Sequence, residues 1–166
     1  MKMDDLDLQI KYTPAERQFL LYEYFQKHTN KEHPVSRKEI LDYLETFEIY
    51  ISPHTLYSDL DVLRGTMKLD IQFNAHAHQG AGGYWLNNPK FKPHELRLMV
   101  DGIQSSKFIP QKQARVITQK ITDLADNYTK ASLNRQAYVA GRVRSLNESV
   151  VKDADRIHEA ITTDRK

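Results

Sequence analysis

The sequence contains no cysteine among its 166 residues. That absence excludes disulfide bonds, thiolate metal ligands and cysteine nucleophiles, and it is typical of proteins that work in a reducing compartment. The chain also lacks any run of about 18 or more apolar residues, the length that a membrane-spanning helix requires. Its acidic N-terminus does not show the basic and then apolar order of a secretory signal. We therefore expect a cytoplasmic protein without a membrane segment.

The features that catalysis requires are also missing. The sequence has no glycine-rich phosphate-binding loop, no ordered set of nucleophile, histidine and carboxylate, and no cluster of metal ligands. It therefore predicts a binding protein rather than an enzyme, without a cofactor.

A strong excess of one charge sign is absent as well, because the net charge is only +2. Residues 1–90 contain ten Lys and Arg against thirteen Asp and Glu, a net charge of −3, whereas residues 91–166 contain fourteen against nine, a net charge of +5. The chain is therefore not a polybasic nucleic-acid binder of the histone kind. Any contact with DNA must come from a local arrangement of donors on one face.

Three helix starts follow one another in the first half of the chain. Thr13 and Ser36 each stand three residues before a glutamate, which is the spacing of a capping box, and Ser52 precedes a proline that suits the first helical position. Apolar residues then recur at helical spacing and predict one buried stripe on each helix. The stripes contain Phe19, Leu20, Tyr24 and Phe25 in the first helix, Ile40, Leu41, Leu44 and Phe47 in the second, and Leu56, Leu60 and Leu63 in the third.

The third helix is followed by a change from helical to alternating spacing. Leu69, Ile71 and Phe73 alternate with polar residues, and residues 82–86 offer a second short strand. The connection between the second and third helices, residues 48–51, suits the tight turn of a helix-turn-helix. We therefore expect a mainly α fold with a small β-hairpin, a winged helix-turn-helix over residues 1–90. Because winged helices serve as protein-interaction modules as well as DNA readers, both functions stay open at this point.

Residues 91–166 are expected to form a helical linker or dimerisation region. Apolar stripes predict one helix from Pro93, a second from Pro110 and a third over about residues 146–162, while residues 137–143 suit a strand or an extended linker. The stripes contain Leu96, Met99, Val100 and Ile103 in the first, Ala114, Ile117, Ile121 and Leu124 in the second, and Val150, Ala154, Ile157 and Ile161 in the third. Since such stripes are commonly buried against another copy, we expect a homodimer.

The segment 107–144 is basic, with eight Lys and Arg against two Asp. A solvated basic face on helices is the interpretation we favour. An added contact with the DNA backbone and an interface with an acidic partner stay open.

The segment from Ser52 to Arg64, SPHTLYSDLDVLR, resembles the recognition helix of the DeoR-like, WYL-domain bacterial transcription regulators. The segment VSRKEI at 35–40 is similar to the second helix of that family, and GGYWL at 82–86 is similar to the end of its wing. The resemblance continues through 91–96, 100–109, 133–136, 147–150 and 157–161, and so covers nearly the whole chain. It implies a transcription regulator that binds double-stranded DNA. We favour a repressor, because a small module without an evident activation surface can act by occlusion.

The chain departs from this family in two places. The C-terminal sensor domain of the family would begin near where this chain stops, so we expect no small-molecule effector to bind here. Ser58 stands where many relatives carry a basic residue. Either a phosphate contact is lost here, or Tyr57 and Arg64 carry more of the DNA binding. The alternative function is that of a truncated winged-helix protein-interaction module, which modulates a full-length regulator or another partner.

The candidate DNA-binding residues come from the third helix and its surroundings. A His or Ser can hydrogen bond to base edges and a Thr methyl can contact a thymine methyl, so we expect four residues to face the major groove: His54, Thr55, Tyr57 and Ser58. The candidate phosphate contacts are Arg37, Lys38, Arg64 and Lys68, with the backbone N–H groups of the helix start at Ser52.

Three further groups of residues in this region have both a structural and a functional interpretation. His76 and His78 lack nearby carboxylates, so we favour solvent-exposed loop residues with occasional DNA contact over a zinc site. Asp59 is expected to be structural, bonding to a neighbouring helix or pairing locally, because a carboxylate repels phosphate. Residues 84–86, Tyr-Trp-Leu, are expected to pack in the core or between strands rather than to stack on bases.

Overall fold

The computed structural model describes residues 12–77, 82–136 and 150–163. The chain divides into two compact units, Met1–Pro89 and Lys90–Lys166. The first unit contains α1 (Pro14–His28), α2 (Arg37–Glu45), α3 (Pro53–Gly65), β1 (Ile71–Asn74) and β2 (Gly83–Leu86). The second contains α4 (Pro93–Ser105), α5 (Gln111–Thr122), α6 (Asn127–Gln136) and α7 (Val150–Thr162). The expected class, mainly helical with a small antiparallel hairpin, is confirmed. No helix in the described ranges is long and apolar enough to cross a membrane.

The three predicted helix starts in the first unit are present. Thr13 and Ser36 each form a capping box, in which the hydroxyl accepts the N–H of the glutamate three residues on at 3.2 Å and the glutamate accepts the N–H of the cap at 2.7 Å. Ser52 caps α3 by accepting the N–H of Thr55 at 3.2 Å. Because these bonds fix where each helix begins, they also fix which face of each helix is buried.

The core of the first unit lies between its three helices and the hairpin. The predicted stripe of α3 is confirmed. That of α2 is confirmed at Ile40 and Leu44, whereas Leu41 is half-buried and the half-buried Phe47 lies beyond the helix end. The side chains of this unit without exposed surface are Leu21, Phe25, Ile40, Leu44, Leu56, Leu60 and Leu63. The predicted stripe of α1 is wrong at Phe19, which is 56% exposed. The buried face of α1 begins at Leu21, and Phe19 lies roughly 200° away from Leu21 around the helix.

The turn between α2 and α3 is longer than predicted. The N–H of Glu48 donates to the carbonyl oxygen of Glu45 at 2.9 Å, and the N–H of Ile49 donates to that of Leu44 at 3.1 Å. With Glu48 at φ 61°, this is a Schellman ending, which terminates α2 at Glu45. The expected connection of residues 48–51 is therefore wrong, and residues 46–52 connect the two helices.

The hairpin is tied to the helical part of the first unit at both ends of β2. Its register places Phe73 opposite Tyr84. Val35 and Tyr84 exchange two backbone hydrogen bonds of 2.9 and 2.8 Å, which adds an antiparallel bridge from the segment before α2. At the other end, the N–H of Leu86 donates to the hydroxyl of the buried Thr29 at 3.0 Å. Tyr84 and Leu86 are buried, as expected, and Trp85 is half-buried.

The second unit packs α4, α5 and α6 around Leu96, Ala125 and Leu133. The predicted stripe of α4 is confirmed at Leu96 and Val100, which are buried, and Met99 and Ile103 are half-buried. The predicted stripe of α5 is wrong at Leu124, which lies beyond the helix end and is 51% exposed.

Two threonines are buried on α5 in addition to Ala114. Thr118 accepts a hydrogen bond from the side chain of Gln104 at 2.9 Å, and the Thr122 hydroxyl donates to the carbonyl oxygen of Gln119 at 3.0 Å. Because both hydroxyls have hydrogen-bond partners, these two threonines can be buried on a face of α5 that apolar spacing does not reveal.

Helix α6 is not among the predicted helices. Asp126 caps it by accepting the N–H groups of Tyr128 and Thr129 at 3.0 Å each. Leu133 is the one large aliphatic side chain that this helix buries among its described side chains, so apolar spacing gives little signal there. The predicted strand or linker at 137–143 lies outside the described residues.

Candidate nucleic-acid interface

Helix α3 has one buried face and one exposed face. Leu56, Leu60 and Leu63 form the buried face. His54 and Ser58 are exposed one helical turn apart on the opposite side, with Tyr57 beside them at 42% exposure. Neither the His54 nor the Ser58 side chain hydrogen bonds to another residue in the part of the chain that the structure describes. Two polar side chains on this face are therefore available to an external ligand.

Most hydrogen-bond donors in the first turn of α3 already donate to acceptors within that turn. The N–H of Thr55 donates to the Ser52 hydroxyl, and the N–H of Leu56 donates to the Ser52 carbonyl oxygen at 3.1 Å. Pro53 has no N–H. In the first turn of α3 the backbone N–H of His54 is therefore the donor without a partner among the described residues. The hydroxyls of Ser52 and Thr55 also bond to each other at 3.0 Å. This helix start is therefore a weaker anion site than the sequence predicts, and the methyl group is what Thr55 can offer to DNA.

Asp59 fixes α3 against α1, and its expected structural role is confirmed. Its side chain is 3% exposed and accepts hydrogen bonds from the Arg17 Nε at 2.5 Å and Nη2 at 3.1 Å. The side-chain amide of Gln18 donates a third bond of 3.0 Å to the same carboxylate. Three bonds to one buried group hold the helix in a single rotation about its axis, which keeps His54 and Ser58 on the outer face.

A cluster of three side chains joins α2, α3 and the hairpin beside the exposed face of α3. The Arg37 Nη1 donates to the Tyr57 hydroxyl at 3.1 Å, and both side chains are exposed. Tyr84 lies behind them with 8% exposure. Burial raises the pKa of the Tyr84 hydroxyl, and the neighbouring Tyr57 raises this pKa further, in part through a hydrogen bond. The structure thus brings together two predicted DNA-binding residues, Arg37 and Tyr57, and adds Tyr84.

The remaining predicted phosphate contacts fall into two groups. Arg64 is half-buried, its Nε donates to the carbonyl oxygen of Ile71 at 3.0 Å, and its Nη1 lies 3.6 Å from the Asp61 carboxylate. It therefore joins α3 to β1, and part of its guanidinium is already used. Lys38 and Lys68 are exposed and form no ion pair within the described ranges, so their charge is available.

The hairpin loop is described only in part. His76 is exposed, and its backbone N–H donates to the Asn74 side chain at 2.9 Å. His78 lies outside the described residues, so its predicted role stays a prediction. Within the described ranges no group of three or more His, Cys, Asp or Glu is arranged to hold a metal ion.

Sequence reasoning did not predict the contact that Phe73 makes with Tyr84 in the hairpin. Phe73 is 50% exposed, and its ring centroid lies 4.6 Å from that of Tyr84. Its ring also covers Gly82, where an added Cβ would lie 2.9 Å from two ring carbons. The hairpin register gives the signal for this contact, because Phe73 and Tyr84 are opposite each other in the two strands.

Comparison with protein-family models, with curated proteins and with solved structures gives no match for this chain.

Proposed function

We propose that this protein is a sequence-specific DNA-binding transcription regulator of the cytoplasm, a repressor that reads the major groove with α3. The observation that carries this proposal is the division of α3 into a leucine face without exposed surface and an opposite face on which His54 and Ser58 have no side-chain partner among the described residues. The order of three helices and a hairpin, with the added bridge between Val35 and Tyr84, supports a winged helix-turn-helix. In that fold the third helix lies in the major groove with its N-terminal half on the base edges.

The division of labour within this interface follows from which donors and acceptors are free. His54 and Ser58 lie in the N-terminal half of α3, and each can donate to or accept from a base edge. Arg37, Lys38 and Lys68 supply positive charge for phosphates without carrying sequence information. In this proposal the net negative charge of the first half matters less than local cations do, because Arg37 contacts Tyr57 beside the face that binds.

A homodimer completes the proposed function, with α7 as the contact between two copies. Ile157 is 61% exposed and Ile161 is 71% exposed, and together with Val150 and Ala154 they repeat at spacings of four, three and four residues. That repeat suits the seam of a two-helix coiled coil, and α7, with 13 residues, is about 20 Å long. A two-fold dimer would place two α3 helices on half-sites about one turn of DNA apart.

Sedimentation velocity tests the dimer. We expect Ile157→Asp to convert a dimer into a monomer, whereas Asp155→Ala, an exposed change on the same helix, should leave the dimer intact. A wild-type protein that stays monomeric at micromolar concentrations would contradict this part of the proposal.

Selection from a random duplex library tests the DNA-reading function. The wild-type protein should enrich a defined half-site, and His54→Ala should change the base preference at one or two positions. Asp101→Ala, an exposed change on α4, should enrich the same sequence as the wild type. Failure of the wild type to enrich any sequence would contradict sequence-specific reading.

The alternative is a protein-interaction module, and Asp61 is the observation that favours it. Its side chain is 77% exposed one turn beyond Tyr57 and Ser58, where a carboxylate opposes a phosphate backbone. If α3 binds DNA, Asp61→Asn should strengthen duplex binding by removing that repulsion. If α3 binds a protein partner instead, no duplex should bind in a salt-dependent way and Asp61→Asn should not change that.

A further inference from the structure

The pair formed by Arg37 and Tyr57 presents only hydrogen-bond donors to a ligand. We propose that Arg37 and Tyr57 together bind one phosphate group of the DNA backbone, and that Tyr84 is a positioning residue that holds the Tyr57 hydroxyl. This inference rests on the proposed function and changes one part of it. Tyr57 is then a phosphate contact rather than the base-edge reader that the sequence predicts.

The direction of the hydrogen bonds supports this assignment. The Tyr57 oxygen accepts an N–H of Arg37 at 3.1 Å. Tyr84 is buried beside Tyr57, so its hydroxyl proton needs an acceptor, and the Tyr57 oxygen is placed to supply one. Tyr57 is exposed and carries one proton, so its hydroxyl is free to donate outwards.

Arg37 contributes further donors on the same side. Its guanidinium has five N–H groups and no acceptor, and it is exposed, so several donors remain beyond the one used on Tyr57. Phosphate oxygens are acceptors only and carry negative charge, which matches a set of donors next to a cation. In the major groove a base pair mixes donors and acceptors, and only the guanine edge presents two acceptors side by side, without a negative charge. A set of donors next to a cation therefore fits a charged phosphate better than it fits most base edges.

The pair is also held in place by three separate elements. Arg37 is the first residue of α2, Tyr57 lies in the middle of α3, and Tyr84 lies in β2. Tyr84 is buried and packs against the ring of Phe73, so its hydroxyl has little freedom to move. The exposed carboxylate of Asp61 on α3 lies 3.6 Å from Arg64, which partly neutralises it.

The test uses titrations of a mixed-sequence duplex with the full chain at several salt concentrations. Tyr57→Phe should weaken binding by at least about tenfold, because it removes one hydrogen bond to a charged group in each copy. The salt dependence should not change, because Tyr57 is neutral, whereas Arg37→Ala should lower the salt slope of the dimer by about two, one for each copy. Tyr57→Phe should also have a smaller effect in the Arg37→Ala background than in the wild type.

Two further variants separate positioning from a general effect of removing a hydroxyl. Tyr84→Phe should weaken binding of the mixed duplex in the same way as Tyr57→Phe, although Tyr84 itself is buried. Tyr128→Phe, at a tyrosine of α6 with 44% exposure, should leave the affinity unchanged. The fluorescence of Trp85 checks that each variant is folded.

The outcomes separate this inference from the proposed function. If Tyr57→Phe binds the mixed duplex as tightly as the wild type, or changes base preference without that loss, the phosphate pair is wrong. If the wild type enriches no sequence but Tyr57→Phe still weakens binding of the mixed duplex, the phosphate pair stands and sequence-specific reading fails. If the wild type binds no duplex at any salt concentration, both are wrong.

Discussion

Removing the Asp59 carboxylate should destabilise the first unit more than any surface change on α3. Asp59→Ala leaves the Arg17 guanidinium, whose side chain is only 13% exposed, and the Gln18 amide without their shared acceptor. Breaking a buried ion pair in this way costs about 3–5 kcal/mol. Because Arg17 keeps some access to water, we expect a loss of about 3 kcal/mol. That is a large part of the total stability of a small domain, which is about 5–15 kcal/mol.

Urea denaturation followed by tryptophan fluorescence measures this loss. The chain has one tryptophan, Trp85 in β2, so the signal reports on the unit that contains Asp59. Asp59→Ala should lower the midpoint without changing the slope with urea. The matched control is Asp61→Ala on the same helix, whose exposed ion pair should contribute less than about 1 kcal/mol.

A double variant distinguishes an unpaired charge from lost packing. Replacing both partners by apolar residues, Arg17→Met with Asp59→Leu, should recover most of the stability that Asp59→Ala loses, since no charge is then left without a partner. The reasoning is refuted if Asp59→Ala lowers the midpoint no more than Asp61→Ala does.

Three further predictions concern the stability of the hairpin, the backbone at Lys68 and the pH dependence of the α1 cap. Gly82→Ala should cost about 1–3 kcal/mol in urea denaturation, because Gly82 has φ 77° and an added Cβ would lie 2.9 Å from the Phe73 ring; equal stability would contradict this. Lys68→Gly should stabilise the fold by about 0.5–1 kcal/mol, since Lys68 has φ 56°, and should weaken duplex binding; a gain in both would contradict the phosphate role. Hydrogen bonds from the Thr13 N–H and hydroxyl lower the pKa of Glu16 below its ordinary 4.5. The capping box should therefore contribute its full stabilisation of α1 above pH 4.5 and lose it as the pH falls through the lowered pKa. An NMR titration that gives Glu16 a pKa of 4.5 or higher would contradict this.

The helix starts were predictable because their information is local. Ser36 and Glu39 are three residues apart, and their reciprocal bonds depend on nothing outside that turn. The buried leucines of α3 were predictable for a similar reason, because they follow one clean helical period with polar residues between them. The exposed positions of His54 and Ser58 then follow from the same period.

The features that were missed depend on contacts between distant segments or on backbone conformation. In α1 apolar residues occupy almost every side of the helix, so periodicity alone does not decide between Phe19 and Leu21. Glu48 adopts a positive φ without being glycine, which gives no sequence signal for the end of α2. The contact between Arg37 and Tyr57 joins residues 20 apart, and the position of Tyr84 behind them depends on how the hairpin attaches to the helices.

The central claim is that α3 reads DNA, and fluorescence anisotropy at two salt concentrations tests it most directly. The library-selected duplex and a mixed-sequence duplex are titrated with the wild type and with His54→Ala. A dimer with three cations per chain on phosphates should lose about a thousandfold in affinity between about 50 and 200 mM salt. The account predicts that His54→Ala has a weaker preference for the selected duplex but keeps its affinity for the mixed one. No preference in the wild type, or a variant that behaves like the wild type, would contradict the account and favour the protein-interaction module.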